Sequence, residues 1–221
     1  MKRKRHIILI FIVLIVCVGL GIVHLNKNKT GDVDYKDNEY SVDNEKISID
    51  GFILEMPRIT YVKDKSKQQE INEILISNVK EYFSKKGLSS SNGEISMFEY
   101  SIETKDDTKL SVLFTFQYYD ESIAHPFISA FAINLDLEEK EIINLDDFKD
   151  RIKLFDKSTF KHVTKREKSL KNDGGILENR SIEELLQDMD DNSFYFMDNK
   201  IGIIFEVPYA CGGYSIYEES Q

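Results

Sequence analysis

The chain has 221 residues, with 39 acidic against 29 basic side chains and a net charge of -10, so it has room for one ordinary domain plus additions. Lys2, Arg3, Lys4 and Arg5 contribute +4, which leaves -14 on everything after them. That balance excludes nucleic acid as a partner, because such binding needs a basic face to displace counterions, and it disfavours anionic membrane surfaces and wall polymers; a cationic partner would be steered in.

In chain order, residues 1–6 form a short basic head. Residues 7–25 then read IILIFIVLIVCVGLGIVHL, in which fifteen residues are Ile, Leu, Val or Phe. As a helix this run spans roughly 28 Å, about the thickness of a bilayer core, so a transmembrane helix is expected, with the basic head inside and the bulk of the chain exported. No Ala occurs before Ala124. An A-x-A cleavage site is therefore missing, and a retained signal anchor is expected over a cleaved signal. Residues 26–45 are polar, charged and aperiodic, as in a tether.

Strand signals follow at Ile47–Ile49 and Phe52–Leu54, joined by the hairpin-prone Asp50-Gly51, and Pro57 should end the second strand or hold it at an edge. From Ser66 to Lys85 the period turns helical: Ile71, Ile74, Leu75, Val79, Tyr82 and Phe83 make one stripe, with Ser66 suited to the N-cap and Gly87 to a left-handed C-cap. Glu94–Glu103 and Lys109–Tyr119 read as a hairpin about Asp106-Asp107. In its second strand Leu110, Val112, Phe114, Phe116 and Tyr118 share one face, and Phe127, Ser129, Phe131, Ile133 and Leu135 repeat the pattern, as in an antiparallel sheet with one buried face. Phe148, Ile152, Phe155, Phe160 and Val163 predict broken helical turns, and Lys165–Gly175 a loop. Ser181 and Glu184 form a capping box opening a short helix; Phe194–Phe196 and Ile201–Val207 predict a last hairpin across Asp198-Asn199. The expected fold class is α+β, with an N-terminal transmembrane helix followed by a mostly antiparallel sheet packed with helices. Its parts are the head (1–6), the anchor (7–25), the linker (26–45), a smaller α+β unit (46–115) and a C-terminal α+β domain (116–221).

Little in the sequence carries chemistry. Cys17 lies in the apolar run and Cys211 near the C-terminus, so no disulfide is expected between them. There is no H-E-x-x-H, no C-x-x-C, no G-x-S-x-G and no S-x-x-K, and no metal or cofactor is expected. His125, beside Asp120 and Glu121, could be a base or a ligand, although a hydrogen-bonded turn histidine is the blander reading. Asp146-Asp147 and Asp190-Asp191 read as capping or solvated carboxylates, since adjacent side chains point apart. What remains is aromatic content at turns, at Tyr118, Tyr119, Pro208, Tyr209, Tyr214 and Tyr217, of a kind suited to binding.

Several of these passages together resemble a known family. Tyr118–Phe148, with His125-Pro126, Asn134-Leu135-Asp136-Leu137 and Leu145-Asp146-Asp147-Phe148, is similar to the exported domain of RsiV-type anti-sigma factors, which are lysozyme receptors. Phe194–Phe196, Ile201–Glu206 and Pro208-Tyr209-Ala210-Cys211-Gly212 extend the likeness, which also covers the non-catalytic N-terminal part of PdaC-type peptidoglycan deacetylases. The chain departs from the family at Ser122-Ile123-Ala124 and Glu138-Glu139-Lys140, where glycines are usual. Its six-residue head is too short to hold a sigma factor, and no deacetylase domain is present, so neither activity is expected to transfer. The resemblance implies a membrane-anchored extracytoplasmic module that binds or senses a cationic protein such as lysozyme, or peptidoglycan. The candidate binding residues are Tyr119, His125, Pro126, Pro208 and Tyr209. An envelope enzyme acting on peptidoglycan through His125, or a structural accessory of a membrane complex, are the alternatives.

Overall fold

A computed structural model describes residues 39–61, 63–148, 160–163 and 180–220, all within one compact unit, Asn38–Gln221. A long hairpin opens it: β1 (Tyr40–Ile49) pairs with β2 (Phe52–Tyr61) across Asp50 and Gly51, both at positive φ. Helix α1 (Lys65–Lys85) follows, and then the sheet β3 (Gly93–Lys105), β4 (Lys109–Asp120), β5 (Phe127–Asp136) and β6 (Glu141–Ile142), in that spatial order. After a 3-10 turn at Leu145–Phe148, a second antiparallel sheet holds β7 (Phe160–Val163), β8 (Phe194–Met197), β9 (Lys200–Glu206) and β10 (Tyr214–Glu219) in the order β7-β10-β9-β8. A six-residue helix, α2 (Ile182–Gln187), precedes β8.

The helix follows its sequence closely. Ile71, Leu75, Val79, Tyr82 and Phe83 are buried on one stripe, each such burial contributing about 1.5–3 kcal/mol. The N-cap is Asp64 rather than Ser66: its side chain accepts from the Lys67 amide at 2.8 Å, so the helix starts two residues earlier than a Ser66 cap would set it. At the other end the Leu88 amide donates to the Phe83 carbonyl (2.9 Å) and the Gly87 amide to that of Ser84 (3.1 Å), with Gly87 at φ +68. Those paired bonds make the left-handed stop expected of a glycine there. Phe131 stands at the middle of the core beneath the helix, stacked on Tyr82 (4.0 Å, 14°) and on Phe114 (4.9 Å, 13°).

The opposite face of β4 and β5 is buried too, which alternation alone had not indicated. Leu113, Ala130, Ala132, Ser111 and Asn134 are all at most 3 % exposed, because the second sheet lies on them. Two clasps join the sheets. Asn134 accepts from the Ser111 hydroxyl (2.7 Å) and donates to the Phe194 carbonyl (2.8 Å), while the Phe196 amide donates to Ser111 (3.1 Å). Beside them, Ala132 and Asn192 exchange an amide-to-carbonyl bond of 2.8 Å and a side-chain bond of 2.9 Å. Leu185, Met189, Ile143 and Leu145 then cover the outer face of the second sheet.

Several expectations are corrected. The expected α+β class with a transmembrane helix gives way, among the described residues, to mostly antiparallel strand with one long helix, since a sheet covers the face that helices were expected to cover. No helix among the described residues is long and apolar enough to cross a membrane, and the run 7–25 lies outside them. Phe160 and Val163 belong to a strand, not to helical turns, because β10 pairs with them: Glu219 lies opposite Phe160 and Ile216 opposite Val163. The tether expected to run to residue 45 gives way to strand at Tyr40, whose ring packs on Tyr61 (5.3 Å) and whose hydroxyl donates to the Asp106 carbonyl (3.0 Å). Pro57 does not end β2, which pairs on to Tyr61, but β2 is an edge strand of a two-stranded sheet, the other outcome expected of a proline there. A boundary expected at 115/116 falls within β4. The loop expected at Lys165–Gly175 lies outside the described residues.

Two stability tests follow from this packing. Asn134→Ala leaves the Phe194 carbonyl and the Ser111 hydroxyl proton unpaired in the interior and should destabilise the fold by about 2–4 kcal/mol in urea denaturation; an unchanged midpoint would show that the clasp is idle. The Tyr61 hydroxyl is buried without a partner among the described residues, and burial pushes its pKa up to about 12. Tyr61→Phe should therefore be neutral or stabilising by up to about 1 kcal/mol. Since the folded pKa lies above the unfolded value of about 10, the stability held below that pH is lost as pH climbs toward 12, and this alkaline loss should shrink in Tyr61→Phe.

Candidate functional site

Two of the expected site residues come together although 84 positions separate them in sequence. The rings of His125 and Tyr209 stack in parallel, 4.8 Å between centroids and 2° between planes. Both residues are exposed, Tyr209 at 46 %. His125 sits in the turn between β4 and β5, which is tied by Asp120: its carboxylate accepts from the Ser122 amide at 2.7 Å and its carbonyl from the Ile123 amide at 3.0 Å. Hydrogen bonds from Ser122 hold the Asp120 carboxyl below its usual range.

Tyr209 projects from a compact loop after β9. Pro208 precedes a 3-10 turn at Tyr209–Cys211, and Gly212 and Gly213 reverse the chain at φ +103 and +85. The Val207 amide donates to the Gly213 carbonyl at 3.0 Å and the Gly212 amide to that of Tyr209 at 2.9 Å. Gly213 lies directly against β5, where an added Cβ would stand 2.2 Å from the Ile128 carbonyl oxygen. The loop is thereby seated on the strand that begins at the His125 turn. Pro208 is exposed and Pro126 half-buried, each beside one ring of the stack. Tyr119, 43 % exposed, lies opposite Glu94 on β4 and has no ring contact with the pair.

Among the described residues no carboxylate is hydrogen-bonded to His125; Asp120 turns inward to its own loop. Of the paired carboxylates, Asp190 and Asp191 cap loops. Asp190 accepts from the Asn192 amide (3.0 Å) and the Ser193 hydroxyl (2.7 Å), and Asp191 from the Leu145 amide (2.7 Å). No group of three or more metal-ligating side chains is placed to hold an ion among the described residues.

A second feature was invisible at the sequence level. A cleft of about 280 Å³ opens between the end of α1, β5, the end of β9 and the loop 188–193. Its charged wall holds Lys86, Arg180, Asp188, Asp190 and Glu206, and Tyr82 lies at its base. Lys86 is ion-paired with Glu206 and its ammonium lies 5.5 Å from the centre of the Tyr82 ring. Arg180 pairs with Asp188 at 2.6 Å and donates to the Glu184 carbonyl at 2.9 Å. The Tyr82 hydroxyl is 3.1 Å from the Ser129 hydroxyl; burial raises its pKa above the phenol range, an effect Ser129 lessens and Glu206 and Asp190 add to.

Among the described residues the fold is an antiparallel module of one two-stranded and two four-stranded sheets with one long helix, and it carries these two surfaces. No family model matches the chain, and no curated protein matches it. Among solved structures it is similar to the crystal structure of a member of the DUF3298 family from Bacteroides fragilis, with 14 % identity over 83 % of this chain and 88 % of that one and a TM-score of 0.40. A likeness at that level carries no functional argument.

The seating of the loop is open to test. Gly213→Ala should lift it off β5, since both the contact and the positive φ oppose a side chain there. Ring-to-ring NMR contacts between His125 and Tyr209 should disappear, with a loss of about 1–3 kcal/mol in stability; a retained stack would mean the glycine is not what seats it.

Proposed function

We propose that the chain is an exported binding or sensing module of the cell envelope, recognising a cationic wall-active protein such as lysozyme, or a wall component. The observation that carries this reading is the exposed His125–Tyr209 stack, held by two short tied loops on a strongly acidic unit. The first 37 residues hold 7 basic and 3 acidic side chains, so residues 38–221 carry -14. Tyr is suited to such a surface because it offers large contact area with few rotatable bonds, and a negative field speeds the approach of a basic partner. The resemblance to lysozyme receptors nominates lysozyme as the first partner to try, and the apolar run at 7–25 is the sequence signal for export.

Calorimetry of residues 38–221 with lysozyme at low salt is the direct test. Binding should appear, its association rate should fall as salt is added, and Tyr209→Ala should weaken it by roughly 30-fold if the tyrosine anchors the contact. Absence of heat at low salt with both lysozyme and muropeptides would overturn the proposal.

A further inference from the structure

The cleft beside α1 has a charge balance that selects its ligand. Two cations and three carboxylates line it, and each cation is already matched: Lys86 with Glu206, Arg180 with Asp188. Asp190 is the carboxylate left over. One of its oxygens caps the turn to Asn192 and Ser193, and it has no ion-pair partner among the described residues. Among the described residues that line it, the wall therefore carries one more negative charge than positive, and the Lys85 ammonium also lies in the field of Asp190.

Anions are poor occupants, because they would have to displace Glu206 and Asp188 from their own partners. Apolar groups are poor occupants as well, because the rim is charged and Lys86 lies over the Tyr82 ring. The volume of about 280 Å³ is at the small end for ligand pockets, the size for one side chain rather than a large metabolite. We propose that this cleft receives the ammonium or guanidinium group of a lysine or arginine side chain presented by a basic protein or peptide, with Asp190 as its counter-ion and Glu206 shared between the ligand and Lys86. The inference rests on the reading of the chain as a binder of cationic partners, and it adds a place where a single basic residue is held. Glu206 ends β9, and the loop bearing Tyr209 begins just after it, so the cleft and the aromatic stack lie on neighbouring stretches of chain.

The test uses the full chain, purified in mild detergent, and a trilysine amide as probe, titrated by calorimetry at low salt. Asp190→Asn keeps an oxygen for the turn and removes the charge; it should weaken trilysine binding about tenfold. Lys86→Met keeps the stem and removes the internal competitor for Glu206; it should tighten binding, and it remains informative even where Asp190→Asn does not fold. Glu138→Gln, which removes an equal charge from an exposed turn elsewhere, should change nothing. Equal losses in Asp190→Asn and Glu138→Gln would overturn the cleft in favour of diffuse attraction, and weaker binding in Lys86→Met would overturn it outright. If lysozyme binds the chain but trilysine does not, the cleft assignment fails while the binding module stands; if trilysine follows the expected pattern and lysozyme is ignored, the reverse holds.

Discussion

Everything in this molecule depends on two sheets meeting across a face where a small apolar cluster, Leu113, Ala130 and Ala132 against Tyr195, Ile204 and Ile216, is interrupted by buried polar side chains. Ser111, Asn134, Ala130 and Ala132 line that face, and none of them is more than 3 % exposed. The alanines let β8 and β9 come close enough for Asn134 to reach the Phe194 carbonyl and for Ser111 to accept from the Phe196 amide. Fully satisfied buried polar groups of this kind fix one register, because a slip of one residue would leave each of them unpaired in a low-dielectric interior. The hydrophobic stripe of α1 supplies most of the driving force on the far side of β4 and β5. The polar clasp decides how the second sheet must sit.

Much of the architecture was legible wherever a period was strong. The stripe from Ile71 to Phe83 gave α1, alternation gave β4 and β5, and Asp50-Gly51 gave the first hairpin. Ser181 and Glu184 form both halves of the capping box read from their spacing. Failures came where a distant partner overrode local pattern. Phe160 and Val163 have helical spacing but pair with β10, and Tyr40 sits in a polar stretch yet is captured by Tyr61. The buried second face of β5 was hidden because Ser, Ala and Asn look like a solvated face until another sheet is laid on them.

The candidate site divides in the same way. His125 and Tyr209 could be singled out as turn-borne rings, but their stacking depends on Gly213 lying against Ile128, a contact between segments far apart in sequence. Tyr119 shared their residue type and exposure without sharing their location. The cleft left no trace in the sequence, since Tyr82 and Lys86 belong to a helix end, Glu206 to a strand end and Asp190 to a capped turn. Each has an adequate local reason to exist. Only the fold gives them a common wall.

The seated loop after β9 has a kinetic corollary. Its seven residues spend their conformational entropy when the protein folds, through Gly213 against β5 and the bond from Val207 to Gly213. Were a partner to dock at Tyr209 as proposed, it would meet a surface with little left to order, so less of the contact energy would be consumed in freezing it. Loosening that seat, with every contacting side chain left in place, would then be felt chiefly as faster escape of such a partner, while its rate of arrival, governed by charge, would hardly change.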